Sequence, residues 1–226
     1  MEVLYEDNHI IIINKAAGEL VQGDRTGDTP LVDKVKQYIK VKYDKPGNVY
    51  LGVVHRLDRP TSGIVMFAKT SKALSRLNDL FRHDKIEKSY WAIVSELPQK
   101  TEDKLVHYLV KNSRINKSTA HDVKRTNTKK AVMHYKLLAR SERYFLLDVN
   151  LETGRHHQIR CQLSKIGSPI KGDLKYGARR SNPDGSISLH ARRLTFIHPV
   201  SKDEIDVVAP VPNDRLWKEF ERTAGR

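Results

Sequence analysis

The sequence lacks the features that mark membrane, secreted or disulfide-stabilised proteins. No stretch approaches the roughly 20 apolar residues of a membrane-spanning helix, and the longest apolar run, Ile10–Ile13, predicts one buried strand. The single cysteine, Cys161, excludes an internal disulfide framework and a thiolate metal cluster. The N-terminus has no basic region followed by an apolar stretch and a cleavage site, so we expect a cytoplasmic protein.

Metal-binding and phosphate-binding motifs are also missing. The ten histidines include no H-E-x-x-H or Cys/His spacing, and the adjacent His156 and His157 would diverge on a helix instead of chelating one ion. No glycine-rich loop of the P-loop or dinucleotide type occurs. The sequence therefore predicts no required metal.

Basic residues are what the chain has in excess. It carries 41 Lys and Arg against 27 Asp and Glu, a formal net charge of +14, with a sequence pI near 9.8. Between positions 111 and 143, the sequence contains ten Lys or Arg residues and two acidic residues, Asp122 and Glu142. The ten basic residues are Lys111, Arg114, Lys117, Lys124, Arg125, Lys129, Lys130, Lys136, Arg140 and Arg143. Such an excess attracts polyanions, which favours a nucleic acid partner. A solvated, mobile loop is the alternative; an anionic membrane is a third, without a basic amphipathic helix to support it.

The pattern of apolar residues predicts an α+β fold. We predict strands over Val3–Tyr5, Ile10–Ile13, Gly63–Lys69, Ser89–Val94, Ala131–Leu138, Tyr144–Leu151, Ser188–Ile197 and Glu204–Val208. We predict helices over Pro30–Val41 with Thr29 as N-cap, over Ala73–Phe81 with Ser71 as cap, over Arg155–Ile166 and over Arg215–Glu221. Because strands occur in runs with few helices between them, a mixed, largely antiparallel sheet is expected. No linker or repeat divides the chain, so we predict one domain over residues 1–226.

The densest group of polar residues is His55–Gly63, a charged loop between two apolar segments. Loops at the end of a rigid sheet commonly carry function. Asp58 lies in this loop between Arg56 and Arg59, and nearby cations favour an ionised carboxylate, which suits a nucleophile or a general base. An aspartate that merely pairs with arginines and caps a turn is an equally good interpretation of the spacing.

A second polar group is Leu151–Arg160. On a helix that begins near Arg155, the residues Ile159, Leu163 and Ile166 share an inward face, and Arg160 lies on the adjacent face. An arginine held in this way can bind a carboxylate through two hydrogen bonds, which a lysine cannot do. An ordinary surface arginine on an amphipathic helix is the alternative.

These segments resemble motifs of the RluA-type pseudouridine synthases. His55–Gly63 matches the H-R-L-D-x-x-T-S-G signature of that family, Lys88–Tyr90 its K-x-Y element and Thr153–Arg160 its T-G-R-x-H-Q-I-R element. Gly167–Gly177 is similar to its G-x-P-I-x-G-D-x-x-Y-G stretch. Matches at Val3–Gly18, Ala68–Thr70, Leu189–Ala191 and Phe196–Pro199 extend the resemblance over nearly the whole chain.

The resemblance implies an RNA uridine isomerase with a pseudouridine synthase fold, a mixed antiparallel sheet in two halves around an RNA cleft, without cofactor or metal. It implies that Asp58 is the essential carboxylate, that Tyr90 stacks on the target base, and that Arg160 holds Asp58 by a salt bridge. Further substrate contacts are expected from Arg56, which would help to fill the space of the everted nucleotide, from Ile159 beside the base, and from His55, Arg59, Arg155 and His157. The expected partner is ribosomal or transfer RNA, bound by a monomer.

Two departures from the family pattern stand out. Lys15–Gly18 lacks the proline of the common Lys-Pro-x-Gly element, which would loosen a local turn without touching a catalytic position. Many relatives carry an N-terminal S4 RNA-binding domain, whereas here the predicted catalytic sheet starts at once. RNA capture is therefore expected from the catalytic domain itself.

Two other functions compete with the isomerase. A non-catalytic RNA-binding factor would not need the set of Asp58, Tyr90 and Arg160. A glycosidase or nuclease that uses Asp58 would need a second carboxylate in a recognisable motif, and none is found. For the isomerase, the residues do not distinguish attack of the carboxylate on C1′ from removal of the C2′ proton. Tyr90 is the favoured stacking ring and Trp91 the alternative, since neighbours on a strand point to opposite faces.

Overall fold

The structure is a computed structural model that describes residues 1–24 and 26–224. These residues form strands β1 (Glu2–Glu6), β2 (Ile10–Lys15), β3 (Gly52–Val53), β4 (Ser62–Ala68), β5 (Ile86–Val94), β6 (Glu102–Asn112), β7 (Lys117–His121), β8 (Lys129–Arg140), β9 (Phe145–Leu151), β10 (Leu189–Ile197) and β11 (Glu204–Val208). The helices are α1 (Leu31–Lys42), α2 (Ser71–Arg82), α3 (Gln158–Lys165) and α4 (Arg215–Ala224), with a short 3-10 helix at Leu174–Tyr176. The predicted α+β class with a largely antiparallel sheet is confirmed. None of the helices formed by the described residues is long and apolar enough to cross a membrane.

The chain forms two compact units. Unit 1 comprises Met1–Glu87 and Ala191–Pro210, and unit 2 comprises Lys88–His190 and Val211–Arg226. In unit 1, β2 pairs antiparallel with β1 and with β4, so that the Ile10–Ile13 run lies in the interior. Every isoleucine of that run is fully buried. Ile11 and Ile13 face the buried side of α1, and each such side chain stabilises the fold by about 1.5–3 kcal/mol.

In unit 2, the strands pair antiparallel in the order β5, β9, β8, β6 and β7. Ile159 and Leu163 of α3 pack in one core cluster with Ala92 of β5. Trp217 of α4 packs in another with Ile93, the next residue of the same strand. Because neighbouring residues of a strand point to opposite faces, the two helices cover opposite faces of this part of the sheet.

Three predicted helix starts are wrong by one to three residues. Pro30, not Thr29, is the N-cap of α1, and no side chain caps that helix. The cap of α2 is Thr70, whose hydroxyl accepts a hydrogen bond from the Ala73 N–H at 3.1 Å, instead of Ser71. Helix α3 begins at Gln158 and not near Arg155, because His157 adopts a left-handed conformation with φ of 53°.

The main error of the sequence prediction is the omission of β6 and β7. The buried residues of β6 alternate as Leu105, His107 and Leu109, so a polar residue interrupts the apolar pattern. Strand β7 buries only Ser118 and Ala120. Period-two alternation is invisible when its inward positions carry polar or small side chains. As a result, much of the basic segment 111–143 is ordered strand, and the interpretation as a mobile loop is wrong for it.

Candidate active site

Asp58 lies in unit 1, in the loop that leads into the buried strand β4, and it is partly exposed. The chain turns directly after it, since the Thr61 N–H donates to the Asp58 carbonyl at 3.0 Å. Gly63 follows with φ of +109°, where a Cβ atom would collide with the backbone of Ala191. Glycine is therefore required at this point of the T-S-G motif, and the motif's geometry fixes where the Asp58 loop ends.

The loop is anchored through its backbone by residues 15–18. The Lys15 ammonium donates to the carbonyl oxygens of Ala16 at 2.9 Å and Arg59 at 3.2 Å. The Gly18 N–H donates to the same Arg59 carbonyl at 2.8 Å. These bonds form although the family's proline is replaced by alanine. The carbonyl of Arg59, the residue after Asp58, is therefore held by two donors from outside the loop.

Lys15 is a buried cation with only 1% of its surface exposed. Burial lowers its pKa to about 8, while the negative charges of Glu19 and Asp58 oppose that effect. The lysine thus acts on the Asp58 loop by hydrogen bonds and by charge. The burial of Lys15 was not predicted from the sequence, because lysine is almost never fully buried.

The arginines and the histidine of the motif have separate surroundings. Arg59 donates to the Gly18 carbonyl at 3.0 Å and to Asp28 at 2.7 Å, so it ties the motif to the segment before α1. His55 accepts a hydrogen bond from the Met66 N–H at 3.0 Å and stacks on Phe81. Arg56 is exposed. Two of these three side chains, those of Arg59 and His55, thus brace the loop, and their contact with substrate stays a prediction.

Tyr90 lies on β5 of unit 2, opposite Val149 of β9. It is partly buried and packs against the same core cluster as Ile159, whereas Trp91 packs against the cluster of α4. The two aromatic rings therefore point to opposite faces of the strand. Tyr90 and Ile159, the two residues expected beside the target base, thus belong to the same side of the unit 2 sheet and share one core cluster.

The turn before α3 holds the remaining predicted residues. Gln158 accepts hydrogen bonds from the Thr153 hydroxyl at 2.8 Å and the Arg155 N–H at 2.9 Å. The side chain of Arg155 is exposed and donates to the Lys130 carbonyl at 3.0 Å. His157 is buried, and its ring contacts the guanidinium of Arg160 at 3.1 Å. The structure thus joins His157 to Arg160 and directs Arg155 toward β8.

Arg160 is buried, with 6% of its side chain exposed, and is held by Asp173. Its Nε and Nη2 donate to the two carboxylate oxygens of Asp173 at 2.7 and 2.8 Å. The interpretation of Arg160 as an ordinary surface residue is therefore wrong. Nη1 of Arg160 contacts Nε2 of His157 at 3.1 Å, so side chains of Asp173 and His157 both hold the guanidinium. Asp173 was not predicted, although it stands in the quoted G-D-x-x-Y-G stretch.

Among residues 1–24 and 26–224, no group of three His, Cys, Asp or Glu side chains is arranged to hold a metal ion. The thiol of Cys161 is buried, and burial raises its pKa to about 11. It is therefore protonated at neutral pH and unsuited to act as a nucleophile.

The comparison with known families identifies the class of protein. A family model described as RNA pseudouridylate synthase matches residues 9–165. The chain therefore belongs to the RNA pseudouridylate synthase family, and the resemblance seen in the sequence motifs is confirmed. Members of this family are isomerases that act on RNA.

Individual relatives agree with this assignment. The chain is 33% identical over 224 residues to ribosomal large subunit pseudouridine synthase D of Zymomonas mobilis, with 95% of the chain and 70% of the relative covered. It is 34% identical over 220 residues to an uncharacterized RNA pseudouridine synthase of Bacillus subtilis, again with 95% and 70% covered. The solved structure of human RNA pseudouridylate synthase domain containing 4 matches with a TM-score of 0.80 at 24% identity, over 99% of this chain and 93% of that one. The last likeness shows the shared fold.

Proposed function

We propose that this chain converts specific uridines of a structured RNA to pseudouridine with Asp58 as the essential carboxylate. The observation that carries the proposal is the complete H-R-L-D-x-x-T-S-G motif on a loop anchored at both ends, with a partly exposed aspartate at its centre. The reaction breaks the C1′–N1 bond, rotates the base and joins C1′ to C5. The C5 proton leaves, N1 gains a proton, and no redox partner is needed.

Asp58 serves this reaction in its ionised form, either by attack on C1′ or by removal of the C2′ proton. Tyr90 supports the target base by stacking, which contributes about 1–3 kcal/mol per base. That gain offsets the few kcal/mol that removal of a base from its stack costs. Arg160 is expected to pair with Asp58, and the fixed orientation that Asp173 gives to its guanidinium supports that role.

Ribosomal RNA is the favoured substrate and transfer RNA the alternative. Support comes from relatives named for the large ribosomal subunit, of which the Zymomonas mobilis protein is one. The basic strands β6 to β8 of unit 2 offer cations for phosphate contacts. We propose that the chain binds RNA as a monomer through a single catalytic domain.

The test is a map of pseudouridines in total RNA from cells with and without the gene. A site that disappears on deletion and returns with the wild-type chain identifies the substrate. Asp58→Asn should not restore it, whereas Asp33→Asn, a control at an exposed aspartate of α1, should restore it fully. With the purified proteins and the identified RNA, Asp58→Asn should bind within a few-fold of wild type. Tyr90→Phe should react slowly because the ring remains and the hydroxyl is lost. Full modification by Asp58→Asn would refute the assignment.

A further inference from the structure

Arg160 is surrounded on three sides by side chains of unit 2. Asp173 forms a two-pronged ion pair with it, His157 contacts Nη1, and the Tyr176 ring lies 5.1 Å from the guanidinium carbon. All four residues are buried. A buried arginine that only balanced charge would need the carboxylate alone. The two additional contacts restrict the rotation of the guanidinium plane.

The main chain that carries the Asp173 carboxylate is held in place by hydrogen bonds and by close packing. The Asp173 carbonyl accepts hydrogen bonds from the N–H groups of Tyr176 and Ala178, each at 3.0 Å. Gly172 before it has φ of +88°, and a Cβ atom there would lie 2.7 Å from the Ser186 carbonyl oxygen. Glycine is therefore required next to Asp173, and the carboxylate is presented from a rigid turn.

The contact between His157 and Arg160 determines the protonation of the imidazole. A guanidinium only donates hydrogen bonds, so Nε2 of His157 must accept. The proton of the neutral ring then lies on Nδ1, which donates to the Tyr176 hydroxyl at 2.9 Å. That hydroxyl also accepts from the Ser118 N–H at 2.8 Å. Burial raises the pKa of Tyr176 to about 12, so it stays protonated at neutral pH.

We propose that Asp173 and His157 are positioning residues that set the orientation of the Arg160 guanidinium for the isomerisation. The proposal rests on the proposed function, since it needs Arg160 to act in the reaction. Asp173 occupies the Nε–Nη2 edge of the guanidinium and His157 holds Nη1. In metal sites, residues that orient a ligand without binding the metal are of this kind. Their substitution commonly lowers activity 10- to 100-fold.

The first experiment measures single-turnover pseudouridine formation with the RNA identified by the deletion map. Asp173→Asn keeps the shape of the side chain but replaces one acceptor oxygen by a donor that faces the guanidinium. We expect its rate constant to fall at least about 10-fold with the RNA Kd within about 2-fold of wild type. The matched control is Asp206→Asn, which breaks a similar but exposed fork with Arg193 and should leave the rate unchanged.

A double-mutant cycle separates positioning from a purely structural role. Arg160→Lys removes the fork, so Asp173→Asn in that background should slow the reaction by less than about 2-fold further. If Asp173→Asn fails to fold, His157→Asn replaces it. Asparagine tolerates the left-handed conformation at position 157 but is too short to bridge Tyr176 and Arg160.

The possible outcomes are distinct. A folded Asp173→Asn or His157→Asn variant with the wild-type rate constant overturns the positioning role and leaves the proposed function intact. Equal losses in the wild-type and Arg160→Lys backgrounds overturn it as well, because the effect would then be structural. A wild-type chain that modifies no RNA overturns the proposed function and the inference with it.

Discussion

The Asp58 loop of unit 1 and the first turn of α3 in unit 2 hold their charged residues in different ways. The Asp58 loop is anchored at the Arg59 carbonyl, which accepts hydrogen bonds from the Lys15 ammonium and the Gly18 N–H, and the Asp58 residue is partly exposed. Arg160 is buried, and its guanidinium is held by an ion pair with Asp173 and a contact with His157. The hydrogen bonds to the Arg59 carbonyl that hold the Asp58 loop therefore do not involve the carboxylate. A guanidinium whose own nitrogens are hydrogen-bonded to neighbouring side chains has a fixed orientation.

The difference predicts that the two charged groups contribute unequally to stability. Removal of the Asp58 carboxylate leaves the hydrogen bonds to the Arg59 carbonyl in place. Removal of Arg160 leaves the buried carboxylate of Asp173 without the cation that compensates it. We therefore expect Arg160→Ala to lower the melting temperature more than Asp58→Asn does, and we expect both substitutions to abolish the reaction.

The largest effect is expected for Arg160→Ala. Breaking a buried ion pair from one side costs about 3–5 kcal/mol. In a chain of this size that corresponds to a fall in melting temperature of roughly 10 °C. Arg193→Ala, which breaks the exposed fork with Asp206, should change the melting temperature far less. Calorimetry of the two variants checks this. Equal shifts would mean that the Arg160–Asp173 pair contributes no more than a surface pair.

A structural carboxylate in unit 1 provides the contrast to Asp58. Burial raises the pKa of Glu6, but hydrogen bonds from Lys42, Lys69 and Tyr43 outweigh it and lower that pKa to about 2. Glu6→Gln should therefore cost about 2 kcal/mol at pH 7, allowing for solvent screening.

The contribution of the Glu6 carboxylate to the free energy of unfolding depends on pH, and the sign of this dependence follows from its pKa. Because the pKa of Glu6 is lower in the folded state, its contribution is complete above the unfolded value near 4.5 and is lost as the pH falls toward 2. Denaturant titrations of wild type and Glu6→Gln at pH 7 and pH 2.5 should converge at the lower pH. A gap that stays constant would show that the carboxylate charge is not what stabilises this cluster.

The sequence predicted those strands and helices whose inward residues are apolar. Strands β2 and β4 and helix α4 were found because their buried faces carry isoleucine, valine, phenylalanine and tryptophan. Strand β7 was missed because its inward residues are Ser118 and Ala120. The start of α3 was misplaced because a histidine in the left-handed conformation gives no local signal.

For the candidate site, the motifs named positions but could not give the contacts that these positions make in the folded chain. Arg160 and Asp173 are thirteen residues apart, and no helical or strand period relates them. Their pairing depends on the turn at Gly172, which is a feature of the folded chain. Similarly, Lys15 gave no signal of burial, because its place under the Asp58 loop arises from tertiary contacts. The predicted pairing of Arg160 with Asp58 stays a prediction.

The smallest effect in this series is expected for Lys15→Met, and it tests the anchor of the Asp58 loop directly. Loss of the ammonium removes a donor from the Arg59 carbonyl but also removes the cost of a buried charge, so stability at pH 7 should change little. The rate of pseudouridine formation should fall by about 10-fold as the loop loses its support, in line with the loss of an orienting contact. Because the folded pKa of Lys15 lies near 8, below its unfolded value of 10.5, the stability of wild type relative to Lys15→Met should rise as the pH increases from 8 to 10. A variant with the wild-type rate at pH 7 would show that Gly18 and Arg59 hold the loop without the lysine.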